Sequence, residues 1–546
     1  GAAPAALSLC HRATWSASHL KVLLAMRFPG LAMAVLAAVL GGGRAEAAVR
    51  EPFEREAWPV PANGVDEHVL AVLQARGIEP ARPCSDAVFI RRLYLDVIGT
   101  LPEPAAVAAF LQDDRASKRA QLIDELLERD EYADYWAMKW CDLLRVKAEF
   151  PSNLWPNAVQ AYHRWIRDAV RENRPYDQFA RDLLTSSGSN FRVPPVNFYR
   201  AVQSREPAGL AEAVALTFMG VRLATWPDAR RADLAAFFSR VAFKGTDEWK
   251  EEIVCCDPAQ AGPLEAVLPD GTKTRVGPGD DPRLAFADWL LQPGNPWFTR
   301  AIANRVWSWL VGRGIIHEPD DIRPDNPPAN PELLAYLERE LAGARYDLKH
   351  LFRLILNSRT YQQSSIARGD PASAAAQFAC YPVRRLDAEV LADALQWIGG
   401  RRETYESRIP EPFTWIPEEQ RTIALADGSI TSTFLQMFGR PPRDTGLESE
   451  RGSNLTDAQR LFLLNSTDVY RRLTDSVRLR RAVLAAGGDR PKLIRGVYMT
   501  LLSREPVPAE LAAAEAYWAT PGVSADQAVT DLAWALLNSM EFLYRH

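Results

Sequence analysis

The chain has 546 residues, of which 47% are hydrophobic and 24% charged, and its formal net charge is -5. Such a length allows roughly two to four domains with their own cores, and the composition is that of a globular protein. The slightly acidic balance argues against a general nucleic-acid-binding protein, so we expect no nucleic-acid partner.

The first 48 residues have the pattern of an export signal. A basic start at Met26-Arg27 precedes the apolar segment Leu31–Leu40, and Ala45-Glu46-Ala47 fits the small-x-small cleavage rule. The apolar segment is shorter than the roughly 20 residues that cross a bilayer. We predict cleavage near Ala47 or Ala48, export to the periplasm or the exterior, and no membrane span in the mature chain. The alternative is an ordinary helix of the fold.

Residues 64–242 are predicted to form an N-terminal helical domain. Apolar residues recur there at intervals of three and four, as in amphipathic helices, and Pro104 suits a first helical turn. An aromatic stripe at helical spacing, typical of a core, contains Tyr132, Tyr135, Trp136 and Trp140. A ligand platform is the rarer interpretation of such a stripe.

Residues 243–281 are predicted to form a β-hairpin and linker. Asp270-Gly271 is a hairpin turn signal, and Gly277–Pro282 has the composition of a linker. Residues 282–546 then form a predicted C-terminal helical domain, with a second β or loop-rich patch at 409–434 and terminal helices from about Thr456. The fold class is therefore mainly α, with two helical domains and small β-hairpin insertions.

The cysteines and histidines have no metal-binding spacing. Of six cysteines, Cys10 precedes the predicted cleavage site, and the others are Cys84, Cys141, Cys255, Cys256 and Cys380. The sequence contains no Cys-x-x-Cys, and its seven histidines form no pair at helical ligand spacing. We expect no metal and no cofactor.

Two sets of segments resemble known families. Arg91-Arg92-Leu93-Tyr94-Leu95-Asp96 and Trp140-Cys141-Asp142 resemble the planctomycete cytochrome-type family, domain of unknown function 1549. Asn304-Arg305-Val306-Trp307, Asn357-Ser358-Arg359-Thr360-Tyr361 and Phe438–Arg443 resemble its usual partner, the planctomycete secreted domain, domain of unknown function 1553. The resemblance covers about residues 64–546 and implies an exported bacterial cell-envelope protein without an established reaction.

The chain departs from the first family at one motif. Family members typically carry Cys-x-x-Cys-His soon after a Phe-x-Gly segment, whereas here Phe218-Met219-Gly220 is followed by no such motif. Covalent haem needs two thiols and an axial histidine, so we predict that none is bound. Leu447 and Ser449 stand where the resemblance places cysteines in the Arg/Glu loop.

The candidate ligand-binding residues lie in three segments rich in arginine and carboxylates. They are Arg440, Arg443, Glu448, Glu450 and Arg451 in one loop, Asp320, Asp321 and Arg323 in another, and Arg384 with Arg385. Such groups either present Arg forks to an anionic ligand or cross-link the fold. Arg384 and Arg385, together with Asp387 and Glu389, are possible partners for the Asp320–Arg323 loop.

The sequence leaves one preferred hypothesis for the function and two alternatives. The first is a non-catalytic binding or assembly protein for an anionic glycan or an envelope protein. The alternative is an envelope enzyme acting on a polysaccharide, with Glu448 or Glu450 as acid/base, or a degenerate member of a redox family. The absence of a recognised nucleophile or metal motif in the sequence favours binding.

Overall fold

A computed structural model describes residues 51–56, 61–260 and 262–546. Helices dominate it, and its sheets have only two or three strands. A mainly α fold with small β insertions is thus confirmed. The export signal predicted for residues 1–48 lies outside the described residues.

Helices of the first segment follow one another through short connections. They are α1 (Gly64–Arg76), α2 (Asp86–Val97), α3 (Pro104–Gln112), α4 (Lys118–Leu127), α5 (Asp130–Leu143), α6 (Pro156–Arg171), α7 (Tyr176–Thr185), α8 (Asn197–Arg200), α9 (Pro207–Val214) and α10 (Asp228–Ala236). Ser85 caps α2 by accepting a hydrogen bond from the Val88 amide, and Pro104 occupies the first turn of α3 as predicted. The aromatic stripe of α5 is buried, so it belongs to the core.

The strands form small antiparallel sheets. A three-stranded sheet has the order β1 (Gly188–Ser189), β3 (Glu252–Cys256), β2 (Val241–Gly245). The predicted hairpin is β4 (Leu264–Val267) paired with β5 (Lys273–Val276), and Gly271 in its turn has a φ of 90°. A positive φ of this kind favours glycine, which is why the Asp-Gly signal located the turn.

Helices of the second segment begin where the sequence predicts. They are α11 (Pro282–Leu290), α12 (Phe298–Val311), α13 (Pro331–Gly343), α14 (Leu348–Leu356), α15 (Pro371–Ala376), α16 (Ala388–Gly399), α17 (Thr433–Met437), α18 (Asp457–Asn465), α19 (Thr467–Thr474), α20 (Val477–Ala486), α21 (Arg490–Leu502), α22 (Pro508–Trp518), α23 (Ala525–Leu537) and α24 (Met540–Leu543). Thr456 and Gln459 form a capping box at the start of α18. Strands β6 (Arg384–Arg385) and β7 (Tyr544–Arg545) pair near the end of the described chain.

The patch at 409–434, all of it described, is loop-rich up to Ser432, where α17 follows from Thr433. Thr422–Ala424 is a 3-10 turn, because Asp393 of α16 accepts hydrogen bonds from the Thr422 and Ile423 amides at 2.7 and 3.2 Å. An isolated bridge between Glu406 and Thr431 is the β pairing at this patch. Thr422, Ile423, Ala424 and Leu425 follow a strand-like alternation in the sequence, yet this segment is not a strand.

One hydrophobic core includes residues of both helical segments. Two buried arginines of α2 link them: Arg91 Nη1 donates to the Leu501 carbonyl at 2.7 Å, and Arg92 Nη1 donates to the Tyr361 carbonyl at 2.6 Å. The two predicted helical segments thus pack around a shared interior. The proposed boundary at residues 243–281 stays a prediction.

Candidate functional site

The Arg440–Arg451 loop leaves α17 and folds back on itself. Gly439, with a φ of 80°, accepts a hydrogen bond from the Gly452 amide at 3.0 Å. A Cβ at Gly439 would lie 2.7 Å from the Gly452 carbonyl oxygen, so the two ends of the loop meet at a point where only glycine fits. The loop's arginines consequently point into the molecule.

Arg443 lies fully inside the protein. Its Nε donates to Asp142 Oδ1 at 2.9 Å, and its Nη1 donates to the Ala426 carbonyl at 2.8 Å. Burial by itself would lower the pKa of Arg443, but the neighbouring Asp142 carboxylate outweighs burial and raises it. This guanidinium is therefore paired within the fold and does not face a ligand.

Arg451 joins two carboxylates. It donates to Asp142 Oδ2 and to Glu389 Oε2, each at 2.6 Å. Burial of Glu389 would raise its pKa, but Arg451 more than offsets this and holds the pKa at about 2. The sequence suggested Glu389 as a partner of the Asp320–Arg323 loop, whereas its ion-pair partners in the structure are Arg451 and Arg440 of the other loop.

Arg440 completes a chain of alternating charges. Its Nε lies 3.3 Å from Glu389 Oε1, and its Nη groups donate to the carbonyls of Asp427 and Ile430. The order Arg443, Asp142, Arg451, Glu389, Arg440 then alternates positive and negative groups. We call these five side chains the ionic network.

Arg384 and Arg385 bind backbone carbonyls. Arg384 donates to the Trp309 and Leu310 carbonyls at 2.8 Å each, at the C-terminal end of α12, where a cation is favourable. Arg385 Nη2 donates to the Phe438 carbonyl at 2.6 Å. Both arginines therefore fasten loops and helix ends.

Asp320 connects the second predicted loop to the first. It is fully buried, its Oδ1 accepts from Arg305 at 2.7 Å, and its Oδ2 accepts from the Glu448 amide at 2.6 Å. Asp321 pairs with Arg323 at 3.2 Å near the surface. The binding hypothesis from the sequence treated these two loops as neighbours, and Asp320 joins them through the Glu448 amide.

The two glutamates of the loop are engaged as acceptors. Glu448 Oε1 accepts from Trp309 Nε1 at 3.1 Å, and Glu450 Oε1 accepts from the Asp444 and Thr445 amides at 3.0 and 3.2 Å. Burial raises the pKa of both carboxyl groups.

A small cavity lies beside the ionic network. Its lining consists of Lys139, Asp142, Leu143, Pro441, Leu447, Glu448 and Arg451. Its volume of about 10 Å³ is the room of a single water molecule, so a sugar ring does not fit. Burial lowers the pKa of Lys139, even though Asp387 lies 3.1 Å from its ammonium group.

An aromatic surface cluster lies elsewhere, formed by Trp155, Trp249 and Phe413. The ring centre of Trp155 is 6.2 Å from that of Trp249 and 5.5 Å from that of Phe413, at interplanar angles of 69° and 59°. Trp249 is 67% exposed and Phe413 49%. Lys250 Nζ lies 5.1 Å from the ring centre of Trp155 and 5.5 Å from that of Trp249, within cation–π range.

The loops that carry this cluster expose further rings. Phe150 is 78% exposed and Trp415 67%, and they belong to the same loops as Trp155 and Phe413. Trp155 has a φ of 71°, an uncommon backbone state for a non-glycine residue. No pattern of a single segment marks this cluster, since its members are separated by about a hundred residues or more along the printed sequence.

Two family models match the chain. The model described as "Protein of unknown function (DUF1549)", PSCyt2, matches residues 64–224, and that described as "Protein of unknown function (DUF1553)", PSD1, matches residues 282–518. The chain is a DUF1549–DUF1553 protein. No curated protein and no solved structure matches it.

The ionic network connects the DUF1549 and DUF1553 segments. Asp142 on α5 belongs to the first, whereas Glu389, Arg440, Arg443 and Arg451 belong to the second. The segments quoted for the DUF1549 resemblance therefore contain an anchor of the fold. Lys139, one helical turn before Asp142, was missed because an isolated lysine in an aromatic stripe gives no distinctive signal.

The described residues offer no group of His, Cys, Asp and Glu arranged to hold a metal ion. The five cysteines in that part of the chain, Cys84, Cys141, Cys255, Cys256 and Cys380, are free thiols. None of its helices has the length and apolar character needed to cross a bilayer.

Proposed function

We propose that this chain is an exported, non-catalytic protein of the cell envelope that binds an anionic glycan at the aromatic surface cluster. The observation that carries the proposal is the exposure of Trp249 and Phe413 against Trp155, on loops far apart in sequence. Leaving such rings in water forgoes roughly 25 cal/mol for each Å² of apolar surface that could be buried. A ligand that covers them recovers that free energy.

Ring geometry favours a sugar over a flat protein surface. The rings of Trp249 and Phe413 are inclined by 69° and 59° to that of Trp155, so the three rings do not form one flat surface. A pyranose ring has apolar C–H faces for aromatic contact and a polar rim for hydrogen bonds. Lys250, which lies over two of the rings, adds a positive charge and favours a carboxylated or sulfated sugar.

In this proposal the Arg440–Arg451 loop has a structural role. Its arginines are occupied by Asp142, Glu389 and backbone carbonyls, and the adjoining cavity holds about one water molecule. An anionic polymer would have to displace those partners, which costs more than binding to a cation already in solvent.

Affinity gel electrophoresis tests the proposal. The purified chain is run in gels that contain a polyuronate, a sulfated polysaccharide or neutral dextran. We expect retardation by the anionic polymers, and Trp249→Ala should weaken it about tenfold, as expected for loss of a central aromatic contact. Met540→Ala is the matched control, since Met540 is 59% exposed outside the cluster. Equal retardation of Trp249→Ala and the native chain, with unchanged melting temperatures, would refute the proposal.

Export is tested separately by mass spectrometry of the N-terminus of the chain made in its own cell. A mature start near Ala47 or Ala48 is the expected result. A chain that keeps residues 26–47 and stays in the cytoplasm would contradict the location but not the sugar site.

One observation favours the alternative of an envelope enzyme. Lys139 and Glu448 line the same cavity, and burial lowers the pKa of the first and raises that of the second, as in acid–base pairs. If the native chain degrades a polysaccharide and the Glu448→Gln variant does not, the protein is an envelope enzyme. The size of the cavity makes binding the better supported proposal.

A further inference from the structure

The outer face of α20 is both apolar and basic. Val477, Arg480, Arg481 and Leu484 follow one another at helical spacing, opposite the buried Leu479 and Ala486. Leu484 is 80% exposed, more than any other large hydrophobic residue in the described part of the chain, and Val477 is 50% exposed. This face is turned away from the core, and among its residues Arg480 donates a hydrogen bond to the Asp475 carbonyl just before the helix.

The adjoining helix extends the positive surface. Helices α20 and α21 pack against each other across Gly487 and Gly488, and a Cβ built on Gly496 would lie 3.4 Å from that of Ala482. Arg490, Lys492 and Arg495 of α21 are exposed. We call residues 477–502 the basic hairpin.

Most cations of the basic hairpin have no carboxylate oxygen within ion-pair distance, although Arg481 lies near enough to Glu103 to help lower the pKa of that carboxyl group. Arg478 is the exception: it pairs with Glu103 at 2.6 Å, stacks on Trp397 and so anchors α20 to the body. Arg481, Arg490, Lys492 and Arg495 form no ion pair in the described part of the chain. Their charge is available to a partner.

We propose that the basic hairpin is a docking surface for the face of a bilayer that contains anionic lipids. In this arrangement Leu484 and Val477 enter the boundary between headgroups and acyl chains, and Arg480, Arg481 and Arg495 bind lipid phosphates. Charge complementarity and the protruding aliphatic side chains favour this occupant. An acidic polysaccharide would match the charge but has no apolar region in which the side chain of Leu484 could be buried.

This proposal is independent of the sugar site. The aromatic surface cluster is formed by loops around residues 155, 249 and 413, whereas the basic hairpin lies at residues 477–502. Loss of one activity therefore leaves the other intact.

Flotation of the purified chain with vesicles tests the docking surface. Phosphatidylcholine vesicles with and without phosphatidylglycerol are the probes, and we expect flotation only with the anionic ones. Reversing two charges in Arg481→Glu/Arg495→Glu should lower partitioning about tenfold or more, since each cation near an anionic surface strengthens binding several-fold. Leu484→Ser, which leaves the charge unchanged, should also lower it.

Matched controls are available on the same chain. Arg275→Glu reverses an exposed charge on β5, and Leu284→Ser replaces a leucine that is 46% exposed on α11. Both should float like the native chain, and circular dichroism should show unchanged melting for every variant. If Arg481→Glu/Arg495→Glu fails to fold, Leu484→Ser alone decides the question.

Three results would overturn the proposal: no flotation with either vesicle, equal flotation with both, or native flotation of the Leu484→Ser and charge-reversed variants. Salt-sensitive binding of the basic hairpin to a polyuronate without any flotation would assign the surface to an acidic polymer instead.

Discussion

The Arg440–Arg451 loop and the basic hairpin are both rich in arginine, yet their guanidinium groups lie in opposite environments. Arg440 and Arg443 are buried, the side chain of Arg451 is only 10% exposed, and all three face Asp142, Glu389 or backbone carbonyls. Arg481 and Arg495 are exposed and form no ion pair in the described part of the chain. The same residue type thus holds the fold together in one region and leaves charge for a partner in the other.

This contrast follows from what each guanidinium would lose in water. A buried arginine without a carboxylate keeps its charge and bears the full desolvation cost, so the fold must supply partners. A surface arginine stays hydrated and needs none. Counting arginines along a sequence therefore does not distinguish a binding site from an internal tie.

The largest expected effect is the loss of Arg443. Arg443→Ala leaves Asp142 with one partner fewer and opens a void in the core, so we expect the free energy of unfolding to fall by about 3–5 kcal/mol. Arg481→Ala, the matched change in the basic hairpin, should stay within about 0.5 kcal/mol. Urea unfolding measures both, and similar values for the two variants would break the comparison.

Acid should weaken the ionic network next. The pKa of Glu389 is about 2 in the fold against its usual 4.5, so its contribution is complete above about pH 4.5 and is lost as the pH falls through 2. The shift corresponds to a loss on the order of 3 kcal/mol. Urea unfolding between pH 6 and pH 2 measures it.

The matched change for this titration is at an exposed carboxylate. Glu418 has a side chain that is 96% exposed, and Glu418→Gln should leave the pH profile unchanged. A native chain equally stable at pH 6 and pH 2 would show that Glu389 does not carry a buried charge.

Two glycines that end helices extend this comparison between a crowded interior position and the exposed basic hairpin, and we expect their substitution to have effects of intermediate size on stability. Gly312 ends α12 with a φ of 87°, and a Cβ there would lie 2.4 Å from Arg384 Cδ. Gly487 ends α20 with a φ of 59°, and nothing lies within 4 Å of its added Cβ. We expect Gly487→Ala to cost about 1 kcal/mol from backbone strain alone, and Gly312→Ala about 2 kcal/mol or more because Arg384 must also move.

Thermal melting of the two alanine variants ranks these costs. A larger loss for Gly487→Ala than for Gly312→Ala would mean that Arg384 does not press on the end of α12.

Salt should have the smallest effect on stability. Raising sodium chloride to 1 M shortens the Debye length to about 3 Å, which screens surface charges far more than buried ones. We expect the free energy of unfolding to change by less than about 0.5 kcal/mol, because the ionic network is inside. Flotation with anionic vesicles should be abolished by the same salt, and a large loss of stability instead would place the network in solvent.

Local sequence determined the elements of this protein. The period of apolar residues located the helices of the N-terminal segment, the terminal helices were expected from about Thr456, which is the N-cap of α18, and Asp270-Gly271 located the β4–β5 turn. Such signals act within a few residues. Where a distant residue intervenes, such signals fail. The alternation at 422–425 became a 3-10 turn because Asp393, about thirty residues earlier in the printed sequence, binds its amides.

The candidate site was only half accessible from the sequence. Composition singled out the Arg440–Arg451 loop, but it could not show that Glu389 and Asp142, both earlier in the chain, would pair with its arginines. Whether the arginine side chains of this loop point into the protein or towards solvent depends on which distant segment packs against the loop. The gathering of Trp155, Trp249 and Phe413 depends on the same long-range packing. The sequence determined which residues carry charge and aromatic surface, and tertiary contacts alone decided which of them are buried and which meet solvent.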